Sequence, residues 1–302
     1  MKVQKDCAIL IGNGINNYAK LPYSWKKLLL SLTESEKIIN SIRKQQTDIS
    51  YPEYYDLICL ENGENDKRYK NLKPKIVSEI IKWTGNEIHN SFTNFCITNN
   101  IPILSTNYDK TFLNDALISQ NKKFSKAKKK REKYKPQRIK NIPFSDIYPW
   151  GTYYSNKEIS DALNQFAIWN IHGSCYYKRS LVIGASDYSA VISKISNYLY
   201  SDKNSLLNTY INWIGRNSWL DIFFHKNLYI IGLSLDVQES SLRWLFIERE
   251  KYYRKNPDKR KETFYVYKSG DMSESKKLFF NTLSITLIEM NSYDEIYSSW
   301  NI

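Results

Sequence analysis

Short apolar runs that stop abruptly at a glycine or a polar residue constrain this chain more than any other feature. Four stand out: Cys7-Ala-Ile-Leu-Ile11 before Gly12, Ile101-Pro-Ile-Leu104 before Ser105-Thr106-Asn107, Phe166-Ala-Ile-Trp-Asn-Ile171 before His172-Gly173, and Leu228-Tyr-Ile-Ile231 before Gly232. Runs this short and this continuously apolar read as strands buried on both faces and leading into functional loops. Further strands are predicted at Leu181–Ile183, Thr263–Tyr267 and Ser284–Ile288. Helical periodicity occupies Ser24–Lys44, Lys75–Thr98, Tyr188–Tyr200, Leu206–Phe224, Ser240–Lys255 and Ser273–Asn281, with one short helix after Ile288. Strands alternating with helices predict an α/β fold, a parallel sheet with helices on both faces.

The chain has 302 residues, long enough for one large domain with a sizeable core. With 42% hydrophobic residues and only 10 Gly and 8 Pro, it is neither collagenous nor of low complexity. The net charge of +13 is local. Nine Lys and two Arg against Glu132 give +10 between Lys122 and Lys140. This stretch sits in an expected insertion at about 118–150, where Pro136, Pro143 and Pro149 argue against one continuous helix. It reads either as a solvated charge run or as a contact for nucleic acid phosphates or an acidic partner. Glu61–Asp66 reads as a polar loop around Asn62-Gly63.

Cys7, Cys59, Cys96 and Cys175 form no Cys-x-x-Cys pair, which disfavours a zinc ribbon or a redox dithiol; no metal is expected. No apolar run approaches the roughly 18 residues needed to span a bilayer, and the five apolar residues before Gly12 are too few for a secretory signal. A cytoplasmic protein with reduced thiols and no membrane contact is expected.

In open parallel sheets, ligands bind beyond the carboxyl ends of the strands, so residues directly after each run are the ones to read for chemistry. Gly12-Asn13-Gly14-Ile15-Asn16-Asn17 is similar to a dinucleotide fingerprint, whose glycines let backbone N–H groups approach a pyrophosphate. Asn17 replaces the third glycine, and an ordinary Gly/Asn turn has the same composition. Ser105-Thr106-Asn107-Tyr108-Asp109 ends a strand in hydroxyls, an amide and a carboxylate. Asp109 can cap a helix beginning at Lys110, and Asn107 can hydrogen-bond a ribose or hold a water while staying uncharged.

His172 is one of three histidines and has the freedom, before Gly173, to face a cleft. Its ordinary pKa of about 6.5 suits proton transfer, although a structural histidine is the competing reading. His89 and His225 lie in or beside helical stretches and read as surface or packing residues. Gly232-Leu233-Ser234-Leu235-Asp236 can offer N–H and hydroxyl groups to phosphate or ribose; Asp236 breaks the Gly-x-Ser-x-Gly elbow and disfavours a serine hydrolase. The chain also lacks a Gly-x4-Gly-Lys-Ser/Thr phosphate loop and a His-Glu-x-x-His motif.

With these four motifs in this order, the chain resembles the sirtuin family, and within it the sirtuin-like NAD hydrolases of bacterial anti-phage defence. Gly12-Asn13-Gly14-Ile15-Asn16 looks like the family's Gly-Ala-Gly-x-Ser loop, Ser105 to Asp109 like its Thr-x-Asn-x-Asp, His172-Gly173 like its catalytic His-Gly, and Gly232-Leu233-Ser234 like its late Gly-x-Ser. Leu21-Pro22-Tyr23-Ser24-Trp25-Lys26-Lys27-Leu28-Leu29 and Ser186-Asp187-Tyr188 are similar to segments of the defence branch. The resemblance runs from Cys7 to about Phe246 and skips the basic insertion. Protein-deacetylating sirtuins carry a four-cysteine zinc module, which this chain lacks.

The resemblance implies a Rossmann-like, sirtuin-like domain over residues 1–302 with helical insertions. NAD is the implied substrate, its diphosphate over Gly12, Asn13, Gly14 and Asn16, its adenosine near Gly232 and Ser234, and its nicotinamide ribose near Asn107 and His172, with Thr106 and Asp109 as further NAD-binding residues. Asn107 would orient the ribose or the attacking water, and His172 would act as general base or ribose-positioning acceptor. Asp109 would hold the loop or the ribose. Trp25, Tyr108 and Tyr188 can shield the site or simply pack in the core. The implied activity is a regulated NADase, releasing nicotinamide and ADP-ribose to deplete host NAD in abortive infection. It implies a separate sensor or regulatory subunit and a homo-oligomer. The alternatives are an idle nucleotide- or nucleic-acid-binding module using Lys122–Lys140, and a protein ADP-ribosyltransferase or deacylase.

Overall fold

A computed structural model describes residues 1–21, 24–44, 48–61, 66–113, 117, 137–139, 151–201, 203, 205–207, 210–298 and 300–302. The strands are β1 (Cys7–Ile11), β2 (Ile103–Ser105), β3 (Gln137–Arg138), β4 (Thr152–Tyr153), β5 (Ile168–Asn170), β6 (Asn227–Ile231), β7 (Thr263–Lys268) and β8 (Thr286–Met290). Six of them form one parallel sheet in the order β5-β2-β1-β6-β7-β8, while β3 and β4 make a separate antiparallel pair. The chain steps outward from β1 through β2 to β5, then crosses back to β6 on the other side of β1 and steps outward again. This is a Rossmann-like order, with its reversal between β1 and β6.

The continuous apolar character of β1 follows from its central place. Cys7, Ile9 and Ile11 join one buried cluster with Ile103, Ile168, Tyr229 and Ile231, whereas Ala8 and Leu10 join the cluster on the opposite face with Leu104, Trp169, Leu228 and Ile230. Both faces are covered, so no polar alternation survives in the sequence. Tyr154 exchanges backbone hydrogen bonds with Ile168 at 2.9 and 2.8 Å and thereby partners the outer edge of β5.

The helices are α1 (Gly14–Tyr18), α2 (Trp25–Leu30), α3 (Glu36–Arg43), α4 (Tyr51–Glu61), α5 (Asp66–Ile80), α6 (Glu87–Thr98), α7 (Ala185–Ser196), α8 (Trp219–His225), α9 (Ser240–Lys255), α10 (Glu274–Thr282) and α11 (Tyr293–Tyr297). Leu28, Leu29, Ile38, Tyr55, Ile58, Ile76 and Ile80, from α2 to α5, form a third cluster with Tyr108, Leu181 and Ile183. This helical insertion thus packs against segments that follow β2 and β5, beside the strand ends.

Several elements differ from the sequence reading, each for a local reason. Ser24–Lys44 holds two helices, because the Ser35 N–H turns to Thr33 Oγ1 at 3.1 Å instead of continuing a helix. Lys75–Thr98 breaks before α6, which restarts on the Asn86 cap, with the Ile88 N–H donated to Asn86 Oδ1. Among its described residues, Leu206–Phe224 is helical only in α8, which Ser218 caps after Asn217 at φ 62°. Leu181–Ile183 is not a strand; it lies along the loop after β5, with the Val182 N–H donated to His172 O at 2.9 Å. Helix α4 shows no helical apolar stripe in the sequence, because Pro52, Tyr54, Tyr55, Ile58 and Cys59 make its buried face while Leu57 and Leu60 are exposed; Pro52 near its start needs no N–H partner. The polar loop at 62–65 and nearly all of the basic insertion lie outside the described residues. Among the described residues, no helix is long and apolar enough to cross a membrane.

Candidate functional site

The loops after β1, β2, β5 and β6 line one cleft of about 520 Å³ at the point where the strand order reverses. That volume lies within the range of about 300–1,000 Å³ typical of small-molecule sites. Asn13 and Gly14 come from the first loop, Thr106, Asn107, Tyr108 and Asp109 from the second, His172 from the third, and Gly232, Leu233 and Ser234 from the fourth. Gly12 and Asn16 stand behind this surface.

The glycines in the first and fourth loops let two backbones meet. A Cβ on Gly14 would lie 2.5 Å from Gly232 Cα and 2.5 Å from Tyr297 Oη, and one on Gly12 would lie 2.6 Å from Gly232 O. Gly232 itself has φ 61°, a left-handed conformation open to glycine. The Gly14 N–H is donated to Gly232 O at 2.8 Å, so this amide holds the loops together and is committed within the protein.

Asn16 acts from below. His89 Nδ1 lies 3.3 Å from the Asn86 N–H and 2.9 Å from Asn86 Oδ1; because Asn16 turns its Nδ2 to the Asp109 carboxylate, its Oδ1 faces the ring and accepts from Nε2 at 2.8 Å. The amide of Asn16 is thereby oriented, and its Nδ2 donates to Asn13 Oδ1 at 2.8 Å and to Asp109 Oδ2 at 3.2 Å. Burial pushes the His89 pKa down to about 4, so this ring is neutral and works as a connector. His89 is therefore more than the packing residue its sequence position suggested.

Asp109 is buried, and no helix follows it at residues 110–113. Its Oδ1 accepts the Thr111 N–H at 2.9 Å and the Thr111 hydroxyl at 2.6 Å, capping a turn rather than a helix. Asp109 thus holds the loops after β1 and β2 together. Desolvation raises its pKa, which the Thr111 and Asn16 donors oppose.

Asn107 is buried and donates from Nδ2 to Gly12 O at 3.4 Å, and its carbonyl accepts from Asn170 Nδ2 at 2.7 Å. The Thr106 N–H goes to Ile11 O at 3.0 Å. These bonds tie β2, β1 and β5 at their carboxyl ends. Ser234, exposed at the fourth loop, donates to Asp236 Oδ2 at 2.9 Å.

His172 is 4% exposed, and its Nε2 has no hydrogen-bond partner among the described residues. Burial pushes its pKa down to about 4, so it stands in the cleft wall as a neutral imidazole. Tyr188 packs edge-on against it with ring centroids 5.5 Å apart and does not reach the cleft surface. Tyr108 and Trp25 do line the cleft, in an edge contact at 5.9 Å.

Two groups were missed from the sequence. Glu239, just before α9, lines the cleft with its Oε2 shielded from solvent. Lys268, Asp271 and Lys276, with Tyr265, line the end of the cleft that follows β7. The same strand-end rule pointed to both places, since β7 is a fifth parallel strand and Glu239 closes the loop that begins at Gly232. The four cysteines are buried free thiols, and burial pushes Cys7 and Cys175 up to about 12. No family model and no curated protein matches this chain.

Proposed function

We propose that the chain is a sirtuin-like NAD hydrolase, which cleaves the bond between nicotinamide and ribose and serves as a regulated, NAD-depleting effector of anti-phage defence. The observation that carries this reading is the convergence of all four strand-end motifs on one cleft at the sheet's reversal point, with the neutral, unpartnered His172 in its wall. NAD is the substrate, and the glycosidic bond breaks with its electron pair passing to the nicotinamide nitrogen. Water then adds to the ribose carbon and gives up a proton, leaving nicotinamide and ADP-ribose.

The residues divide the work by position. A base with a pKa of about 4 gains little by taking a water proton at neutral pH, so His172 is assigned to accept a ribose hydroxyl through Nε2. Asn107, fixed by its bond to Gly12 O, orients the ribose or the attacking water. Asn13 and Gly14 border the diphosphate, and Gly232 and Ser234 the adenosine. Control by a separate protein subunit follows from the resemblance, as does assembly into a homo-oligomer.

The test is nicotinamide release from NAD by the purified protein, alone and with the product of its neighbouring gene. Loss of release in His172→Ala and Asn107→Ala is the expected result. Binding of NAD without release in either setting would overturn the hydrolase reading and favour a binding module. ADP-ribose found on protein instead of free in solution would favour transfer.

A further inference from the structure

Glu239 occupies the N-terminal flank of the 16-residue α9 but makes no side-chain cap there. Its backbone is fully engaged, with its N–H on Asp236 O at 3.0 Å and its carbonyl accepting the Arg243 N–H at 2.9 Å. The carboxyl is free of both duties, and Glu239 borders the cleft with Oε2 sequestered and without a hydrogen-bond partner among the described residues. A sequestered carboxylate oxygen of this kind calls for a donor or a cation.

The surroundings supply neither. The groups facing Glu239 are the Asp236 carboxylate from the same loop, Tyr108 from the loop after β2, and Tyr188 from α7, with Asp187 beyond the two tyrosines. The neighbouring cations lie elsewhere: Lys73 pairs with Asp187 at 2.7 Å, Arg243 donates to Leu235 O at 2.8 Å while lying over the Phe279 ring, and Lys276, which also lines the cleft, interacts with Asp236 and Asp271. Tyr51 of α4 donates its N–H to Gln238, not to Glu239. Burial and Asp236 together push the Glu239 carboxyl up to about 7.

This chemistry selects what can sit here. A phosphate against Oε2 would meet the Glu239 carboxylate itself, whereas Arg243 and Lys276 lie beside Asp236. A sugar hydroxyl offers the missing donor, and a positively charged ring or ribose carbon offers the missing cation. Glu239 lies on the Tyr108 side of the cleft: its neighbour Gln238 accepts the Tyr51 N–H at 3.3 Å, Tyr51 stacks on Trp25 with ring centroids 6.4 Å apart, and Trp25 meets Tyr108 edge-on at 5.9 Å, in the same cleft that His172 lines.

On the reading of the cleft as an NAD-cleaving site, we propose that Glu239 is a further catalytic residue, its Oε2 accepting a hydrogen bond from a hydroxyl of the reacting ribose and setting a carboxylate beside the carbon that becomes cationic. Glu239 forms no covalent bond and ends the cycle as it began. The bond pair leaves with nicotinamide, and the proton of the added water passes to solvent. Because bound substrate selects the carboxylate, binding near pH 7 releases a fraction of a proton from this group.

Calorimetric titration of the full chain with NAD and with ADP-ribose, in two buffers of different ionisation enthalpy at pH 7, reads that proton directly. Wild type is expected to release it and Glu239→Gln is not. In nicotinamide-release assays, Glu239→Gln is expected to lower turnover about 100-fold and to flatten a rise through pH 7 seen in wild type. Glu239→Asp, which keeps the charge, is expected to retain the pH dependence at reduced rate.

A Glu239→Gln protein with wild-type turnover and pH profile, while His172→Ala is inactive, would overturn the role of Glu239 alone. Proton-linked binding that Glu239→Gln abolishes, without nicotinamide release from wild type, would uphold the contact and overturn the hydrolase reading. Failure of NAD and ADP-ribose to bind at all would overturn both.

Discussion

His89 Nε2 donates to Asn16 Oδ1 at 2.8 Å, and through this bond a helix on one face of the sheet fixes the loop that follows its central strand. Both residues are fully buried, so neither has water to fall back on. His89→Ala leaves the Asn16 carbonyl without its donor and frees the amide to rotate away from Asn13 and Asp109. The expected stability loss is about 1–3 kcal/mol, plus the cost of the cavity left by the ring. Affinity for NAD should fall with it, measurable by calorimetry alongside chemical unfolding. His89→Gln, which can still donate an N–H, should recover part of both.

Proton linkage gives a second outcome, and its sign must be worked out group by group. His89 and His172 have folded pKa values of about 4 against an unfolded value of about 6.5. Between those limits the unfolded chain holds protons that the folded chain refuses, so each histidine makes stability fall as pH falls, by about 1.4 kcal/mol per pH unit. Glu239 acts oppositely: its raised pKa means the folded state holds the extra proton, and stability falls as pH rises from its ordinary range towards 7. Urea unfolding from pH 7 to 5 should therefore show a shallower loss in His89→Gln/His172→Gln than in wild type. Glu239→Gln should gain stability relative to wild type at pH 8 more than at pH 5.

The meeting of Gly14 and Gly232 predicts a third. Alanine at position 14 places a methyl group 2.5 Å from Gly232 Cα, a contact that only backbone movement can relieve. Overpacking of this kind costs about 1–3 kcal/mol, and the displaced loop is the one that borders the cleft. Gly14→Ala should lower Tm and abolish NAD binding together. Gly232→Ala should do the same, with an additional cost of about 1–2 kcal/mol for its left-handed backbone.

What the sequence revealed and what it concealed divide along the sheet. Strands β1 and β6 were legible because burial on both faces leaves an unbroken apolar run, and helix α9 because one long buried face leaves a periodic mark. The strand-end rule then brought Asn13, Asn107, His172 and Ser234 to one cleft with no knowledge of distances. The helical insertion was less legible, since its breaks are set by a Thr33 side-chain turn before Ser35 and by the Asn86 cap, which hydrophobic periodicity does not register. His89 and Glu239 were hidden for a different reason. Their roles depend on partners far along the chain, Asn16 for one and the cleft between loops for the other, and no local pattern records such a meeting.

The last outcome concerns Tyr108, whose hydroxyl donates to Val182 O at 2.5 Å while the Val182 N–H is donated to His172 O at 2.9 Å. Tyr108 therefore holds the segment that carries the backbone of His172, as well as lining the cleft. Tyr108→Phe keeps the ring and its edge contact with Trp25 but leaves a buried carbonyl without its donor, at a cost of about 1–3 kcal/mol. The ring still fills its site, so substrate affinity should change little. The imidazole, no longer fixed through its backbone, should spend less time in the productive position, and a displacement of about 1 Å can cost 100-fold in rate. Steady-state kinetics of nicotinamide release should show kcat falling with KM near its wild-type value. A rise in KM at unchanged kcat would instead make Tyr108 a binding surface and leave His172 positioned by other contacts.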